Sequence, residues 1–435
     1  MASLSKSQWM PGLTDCTHQR LSLAKRTVHH FSCVVAVAII YKFLSLRGLI
    51  LKVVLHQRKK NWIPKFQEKL DKGLQFSSNS LQPVIDPFYE KFVRKLLFRM
   101  DPEDTHEHTI HGLSWLSKLR PLCRWMHRFN GMAGPQPVRL FGLDFPNLVG
   151  LAAGLDKNAE CLPAFAAMGF GHVEAGTVTP RKQPGNERPR LFRYPEEEAI
   201  INRMGFNNEG AEMMALRIGR SMPRKRRMIP VGINIGKARS TPLEDAVQDY
   251  LDCFRALADL ADYFTVNISS PNTPGLRKLQ EESYLRELLG SIQDENLDRA
   301  KRLGTEPVPI LVKIAPDLDY IQIETLLAIL LELGYDGVIA TNTTIARPGT
   351  FKNVKENGGL SGNPLQGRSD KVIRFIHRTT GGCLPIIGVG GIMDVASAAR
   401  KLDEGASLVQ LYTGMIYRGP ALVRALVKGL SEQQG

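Results

Sequence analysis

Closely spaced cysteines are missing from this chain. Its six cysteines are scattered over 435 residues, none forms a CxxC pair, and none has a histidine at metal-ligand spacing. A disulfide framework, a structural zinc site and an iron–sulfur cluster all need organised cysteines. We therefore predict reduced thiols, several of them filling the core, in a reducing compartment, and no bound metal.

Acidic residues are almost absent from the beginning of the chain. Residues 1–67 contain eleven lysines and arginines but only one acid, Asp15, so they carry ten of the fourteen net positive charges. A basic arm on a nearly neutral body favours targeting or an anionic membrane surface over a nucleic-acid groove. We therefore predict no nucleic-acid partner.

A long apolar stretch is present, but cations interrupt it. Residues 31–41 are apolar or small, and the stretch continues to residue 55 past Lys42 and Arg47. A spanning helix needs about 20 mostly apolar residues. We predict a targeting segment over 1–30, a membrane anchor over 31–55, and a basic stretch with a linker over 56–87. An amphipathic helix lying in the membrane interface is the alternative for 31–55.

Apolar residues recur near helical spacing in the next segment, residues 88–130. They include Phe88, Phe92 and Leu96, and Asp101-Pro102 is typical of the start of a second helix. The apolar stripe is expected to pack against the rest of the protein. It does not exclude a surface that faces a membrane or a quinone.

Eight short apolar runs dominate the remainder of the chain, residues 131–435. They are residues 147–154, 172–179, 231–235, 263–269, 309–315, 337–343, 385–391 and 408–414. Helix-like stretches such as 245–261, 320–333 and 394–404 separate them. Buried strands alternating with helices predict an α/β fold, a (β/α)8 TIM barrel. A doubly wound open sheet is the alternative, although no GxGxxG motif opens a helix after the first run.

The ends of the predicted strands carry the chemistry, since barrel enzymes place their sites there. Lys313 lies inside an apolar strand, which is costly unless the lysine meets negative charge. Gly390-Gly391 after strand seven and the turn after strand eight are typical of a phosphate cradle. No GxSxG or HExxH motif and no cluster of acids and histidines is present. A phosphorylated ring cofactor, most simply FMN, fits this pattern.

Nine motifs in one order resemble the dihydroorotate dehydrogenase family over residues 88–435. They are AAGLDK (152–157), GTVTPR (176–181), INRMGFNN (201–208), NISSPNTPGLR (267–277), VKIAPDL (312–318), ATNTT (340–344), GGLSG (358–362), GVGGI (388–392) and QLYTG (410–414). The resemblance implies oxidation of dihydroorotate to orotate in de novo pyrimidine (UMP) biosynthesis. It also implies FMN as the cofactor.

The resemblance assigns residues to each ligand. The implied FMN contacts are Ala153, Gly154, Thr177, Asn234, Asn267, Lys313, Thr341, Gly362, Gly391, Tyr412 and Thr413. The implied substrate contacts are Lys157, Asn202, Arg203, Met204, Gly205, Phe206, Asn267, Asn272, Asn342 and Thr343. Ser270 resembles the catalytic base. Because serine alone is a poor base, Thr273 and Phe206 are implied to belong to its proton relay.

Ser270 also indicates the class within the family, because the soluble class has cysteine there. The membrane-linked class passes electrons to a ubiquinone-type quinone. The resemblance implies that residues 88–130 are its helical region, which associates with the membrane and forms the quinone tunnel, and His106 and Arg193 match positions in that tunnel. The expected location is the mitochondrial inner membrane, with the cytoplasmic side of a bacterial inner membrane as the alternative. Two other functions stay open. They are an FMN barrel that acts on a dihydropyrimidine with a nicotinamide partner, and a non-catalytic membrane-tethered barrel.

Overall fold

The computed structural model describes residues 89–130 and 137–434. The predicted targeting segment (1–30), membrane anchor (31–55) and linker (56–87) lie outside the described residues. Within the described ranges, no helix combines the length and apolar character needed to cross a membrane. Residues 89–106, 114–130 and 137–434 belong to one compact unit, and Glu107–Leu113 belong to another.

Fifteen strands occur in the described part of the chain. They are β1 (Val138–Leu140), β2 (Leu143–Phe145), β3 (Val149–Leu151), β4 (His172–Val178), β5 (Arg181–Gln183), β6 (Leu191–Tyr194), β7 (Ala199–Asn202), β8 (Asn208–Gly210), β9 (Val231–Ile235), β10 (Tyr263–Asn267), β11 (Ile310–Ile314), β12 (Gly337–Ala340), β13 (Gly359–Gly362), β14 (Ile386–Val389) and β15 (Leu408–Leu411). Eight of them, β3, β4, β9, β10, β11, β12, β14 and β15, pair in parallel and close into a barrel. The predicted (β/α)8 barrel is confirmed, and the open sheet is excluded.

Twelve α-helices occur in the same residues. They are α1 (Arg94–Leu97), α2 (Pro102–Lys118), α3 (Arg120–Asn130), α4 (Leu162–Met168), α5 (Ala211–Ser221), α6 (Ala246–Leu257), α7 (Glu282–Leu303), α8 (Tyr320–Glu332), α9 (Gln366–Thr380), α10 (Val395–Asp403), α11 (Thr413–Arg418) and α12 (Ala421–Gln434). The predicted helices at 245–261, 320–333 and 394–404 correspond to α6, α8 and α10. Helix α2 begins as expected, because the Asp101 side chain accepts hydrogen bonds from the amides of Glu103 and Asp104.

The barrel strands are apolar because both of their faces are covered. Every residue of β9, β10 and β11 is buried, as in other parallel sheets with helices outside. Glycine is required where large rings fill the barrel. A Cβ on Gly150 would lie 2.0 Å from Nε2 of His172, and one on Gly232 would lie 2.1 Å from Cζ of Tyr263.

Small antiparallel sheets lie outside the barrel. Strands β6, β7 and β13 form a three-stranded sheet in which Asn202 pairs with Gly359. The pairing joins the excursion after the second barrel strand to the excursion after the sixth. It thereby brings the amide-rich segment 202–208 close to the GGLSG motif, although the two segments are far apart in the sequence.

Candidate active site

A cleft with about 1000 Å³ of empty volume, part of it open to solvent, lies at the carboxyl ends of the barrel strands. The predicted residues on its wall are Ala153, Gly154, Lys157, Thr177, Asn202, Met204, Gly205, Phe206, Asn267, Ser270, Asn272, Lys313, Thr341, Asn342, Thr343, Gly362, Gly391, Tyr412 and Thr413. The sequence motifs thus converge on one cleft.

Three of the predicted FMN, substrate and relay residues do not line the cleft. Asn234 is fully buried beneath it, and its Oδ1 accepts hydrogen bonds from Thr177 and Asn267. The Arg203 guanidinium donates to the Pro189 carbonyl and lies 4.8 Å from the Phe192 ring, so this side chain points away from the cleft. Their predicted contacts with ligands could therefore be made only indirectly or through the backbone.

Thr273 is the third of these residues. Its side chain is buried, and its hydroxyl oxygen has no hydrogen-bond partner among the described residues. Ser270 does line the cleft, and its Oγ accepts a hydrogen bond of 3.2 Å from the backbone amide of Asn272. A hydrogen bond donated to an oxygen favours the ionised form of that oxygen.

The amides of the cleft form hydrogen-bonded pairs. Asn272 donates to Asn202 Oδ1 at 3.2 Å, which joins the loop after β10 to the end of β7. Asn342, after β12, donates to Ser269 Oγ at 2.9 Å and lies close to Asn267. The pairs fix the direction of donors and acceptors around the cleft, as recognition of a polar ring requires.

Arg277 connects the two loops that carry these amides. Its guanidinium donates to the Ser269 carbonyl at 3.2 Å and to the Thr343 carbonyl at 3.4 Å. It also pairs with Asp317 at 2.9 Å. Arg277 lies in a sequence motif, but its role could not be predicted from that motif, because Thr343 and Asp317 follow two other strands.

Glycines shape the opposite end of the cleft. Gly391 has φ +72°, and a Cβ there would lie 2.6 Å from Cβ of Gln366. Gly362 has φ +94°, and a Cβ there would lie 2.2 Å from the Glu198 carbonyl oxygen. Thr413 donates to Ser361 Oγ at 2.9 Å beside them. Gly362 and Gly391 both line the cleft, so backbone without side chains borders it where a phosphate is expected.

Eight further residues line the cleft that the sequence analysis did not select. They are Ala152, Ser361, Leu365, Val389, Ile392, Gln410, Leu411 and Gly414, and Gly390, predicted for the phosphate cradle, also lines it. Most adjoin a predicted residue, so their strand-end position was an available signal. Glu174, which is fully buried under the cleft, was also missed. An acid inside the apolar strand β4 is the same kind of signal as Lys313 in β11.

Lys313 has the negatively charged neighbour that was predicted from its position in an apolar strand. Its Nζ lies 3.7 Å from Oε1 of Glu174, and both side chains are nearly inaccessible to solvent. Lys313 also lines the cleft. The lysine thus presents a cation to a bound ligand while a carboxylate lies below it.

Neither His106 nor Arg193 lines the cleft; His106 lies in helix α2, and Arg193 contacts the helical region. Arg193 donates to the carbonyls of Leu97 and Met100, and its guanidinium lies 4.5 Å from the Phe98 ring centre. Burial, helped by the charge of Lys157, holds the pKa of His106 well below its ordinary value. The lowered pKa favours the neutral form of His106.

Comparison with known protein families identifies the family of this chain. The family model described as dihydroorotate dehydrogenase matches residues 137–433. The chain belongs to the dihydroorotate dehydrogenase family. The resemblance inferred from the nine motifs is confirmed.

Relatives of this chain within the family carry the name dihydroorotate dehydrogenase (quinone). The protein of Chloroflexus aurantiacus is 49% identical over 351 residues, which cover 79% of this chain and 96% of the relative. The protein of Cellvibrio japonicus is 52% identical over 342 residues, covering 78% and 97%. The crystal structure of a DHODH from Eimeria tenella in complex with ferulenol has a TM-score of 0.68 at 36% identity, covering 78% and 93%.

Proposed function

We propose that the chain oxidises dihydroorotate to orotate, a step of pyrimidine biosynthesis, and passes the electrons to a quinone. The observation that carries this proposal is one cleft that collects the motif residues of a dihydroorotate dehydrogenase, with Ser270 on its wall. The quinone-dependent relatives, about half identical over most of the chain, support the electron acceptor.

FMN is the proposed cofactor, and the residues present fit it. Lys313 offers a cation, and Thr341 offers a buried hydroxyl oxygen without a partner among the described residues. Gly362 and Gly391, with Thr413, supply open backbone at a phosphate position. When bound, the flavin supplies the acceptor for the hydride that leaves dihydroorotate.

Ser270 is proposed to remove the proton from C5 of dihydroorotate. A serine hydroxyl is a weak base, so it must pass its own proton onward. The amide of Asn272 favours negative charge on Oγ of Ser270, and the buried hydroxyl of Thr273 suits a relay through an ordered water. Phe206 shapes this channel and exchanges no proton.

The substrate is proposed to be held by the amides and by Lys157. Dihydroorotate presents ring N–H groups, ring carbonyls and a carboxylate. Asn267, Asn272 and Asn342 provide both donors and acceptors for the ring, and Lys157 provides a counter-charge for the carboxylate.

The quinone is proposed to approach along the helical region, residues 88–130, past His106 and Arg193. Exposed aromatic side chains in this region, including Phe92, Trp115, Trp125 and Phe129, suit a membrane surface. The basic, acid-poor arm favours the mitochondrial inner membrane, whereas the bacterial relatives favour a bacterial inner membrane. The domain boundaries at 30, 55, 87 and 130 remain proposals.

The test is steady-state turnover of the purified chain with dihydroorotate and a choice of acceptor. We expect orotate formation with a short-chain ubiquinone and none with NAD⁺ or NADP⁺. Turnover that depends on a nicotinamide would favour the alternative, a different flavin barrel acting on a dihydropyrimidine. A colourless protein that stays colourless after FMN is added would favour a non-catalytic barrel.

A further inference from the structure

Glu174 lies on β4 inside the barrel, directly beneath the cleft. Its side chain is completely buried and does not line the cleft. Burying a carboxylate costs free energy unless the group is paired and hydrogen-bonded. The contacts of Glu174 therefore indicate its role.

Both oxygens of Glu174 are engaged. Oε1 accepts a hydrogen bond of 2.8 Å from Asn234 and lies 3.7 Å from Nζ of Lys313. Oε2 accepts a hydrogen bond of 3.0 Å from Gln410. Two of these three partners, Lys313 and Gln410, line the cleft directly.

Asn234 extends the influence of Glu174 to two more residues of the cleft. With its Nδ2 committed to Glu174, Asn234 must present Oδ1 in the opposite direction. That oxygen accepts hydrogen bonds from Thr177 and Asn267, both on the cleft wall. One carboxylate thus fixes the orientation of an amide network under the ligand.

We propose that Glu174 is a positioning residue that orients this network and offsets the charge of Lys313, so that it lowers the reduction potential of the bound flavin. The inference rests on the proposed flavin function. The inference assigns a role to Glu174, which lies beneath the cleft and so contacts neither the substrate nor the cofactor.

The 3.7 Å separation places the charges of Glu174 and Lys313 close enough to oppose each other at the cofactor. A cation beside a group that gains electrons favours its reduced form, and a carboxylate beside that cation opposes the effect. Because Glu174 and Lys313 are buried, solvent and salt screen neither of them effectively. Glu174 therefore keeps the reduced cofactor a sufficiently strong donor for the quinone.

The test compares flavin midpoint potentials at pH 7 in the full-length wild type, Glu174→Gln and Thr265→Val. Glu174→Gln removes the charge at nearly constant volume. We expect its two-electron reduction equilibrium to shift toward the reduced form by tenfold or more, which is about 30 mV in the positive direction. Thr265→Val is the matched control, because Thr265 is buried in the barrel strand β10, carries no charge, and has a hydroxyl oxygen without a hydrogen-bond partner among the described residues.

Each outcome decides the proposal. A flavin-containing Glu174→Gln protein with the wild-type potential would overturn it, as would an equal shift in Thr265→Val. If Glu174→Gln does not fold, Glu174→Asp replaces it and should give a smaller shift in the same direction, and no shift there would also refute the role. A wild-type protein that binds no flavin would instead refute the proposed function, and the inference with it.

Discussion

Removal of one partner from the buried ion pair between Glu103 and Arg190 should strongly destabilise the fold. The pair joins the first turn of α2 to the loop before β6, and both side chains are more than nine-tenths buried. Arg190 donates to both carboxylate oxygens, at distances between 2.7 and 3.1 Å, and also to the carbonyls of Pro184 and Asn186. Asn186 in turn donates to the carbonyl of Asn272, so the pair supports the cleft.

Glu103→Ala would leave the Arg190 guanidinium buried without its counter-charge. Breaking a buried pair in this way costs about 3–5 kcal/mol. Loss of an acid from the first turn of a helix adds about 0.3–1 kcal/mol. The matched control is Glu332→Ala, which breaks the exposed pair with Arg286 at 2.7 Å. Exposed pairs contribute at most about 1 kcal/mol.

The assay is equilibrium unfolding in urea, with the free energy of unfolding obtained from the midpoint and slope of each variant. We expect Glu103→Ala to lower the free energy of unfolding by at least about 2 kcal/mol more than Glu332→Ala does. Breaking the buried pair costs about 3 kcal/mol or more, and breaking the exposed pair costs at most about 1 kcal/mol. Equal losses in the two variants would refute the argument that burial makes the first pair important.

Three further predictions concern the cleft and its surroundings. Ser270→Ala should retain FMN but reduce flavin about 10²–10⁴-fold more slowly with dihydroorotate in stopped-flow absorbance, since the base is lost; a normal rate would exclude Ser270 as the base. Gly391→Ala should weaken FMN binding in fluorescence titration, because the new Cβ would lie 2.6 Å from Cβ of Gln366 and the backbone has φ +72°; unchanged affinity would exclude a phosphate site there. Burial raises the pKa of Asp156 to about 6 from 3.8, so the folded state holds a proton that the unfolded chain has released, and stability falls as pH rises from about 4 to 6. Asp156→Asn should flatten this part of the plot of urea midpoint against pH, whereas the control Asp144→Asn, at an exposed position, should not. Parallel curves for wild type and Asp156→Asn would contradict the raised pKa of Asp156.

The barrel could be predicted because its signals are local. Each strand is a short buried run that ends at small or polar residues, and β9 spans the predicted residues 231–235 without an offset. The position of Lys313 inside β11 was equally informative. A buried cation had to meet negative charge, and Glu174 lies 3.7 Å from it.

Long-range register could not be predicted from local patterns. The approach of Glu174 to Lys313 depends on how β4 and β11 face each other across the barrel. The pairing of Asn202 with Gly359 depends on two excursions that form one small sheet. The outward direction of Arg203 depends on Pro189 and Phe192, which the motif around residue 203 does not contain.

In the proposed reaction, one cleft takes electrons from dihydroorotate and releases them to a quinone. The most direct measurement is the visible spectrum of the purified, full-length protein under anaerobic conditions. Addition of dihydroorotate should bleach the flavin absorbance, and subsequent addition of a ubiquinone analogue should restore it. This reaction is excluded if dihydroorotate does not bleach the flavin. It is also excluded if a nicotinamide reoxidises the flavin and the quinone does not.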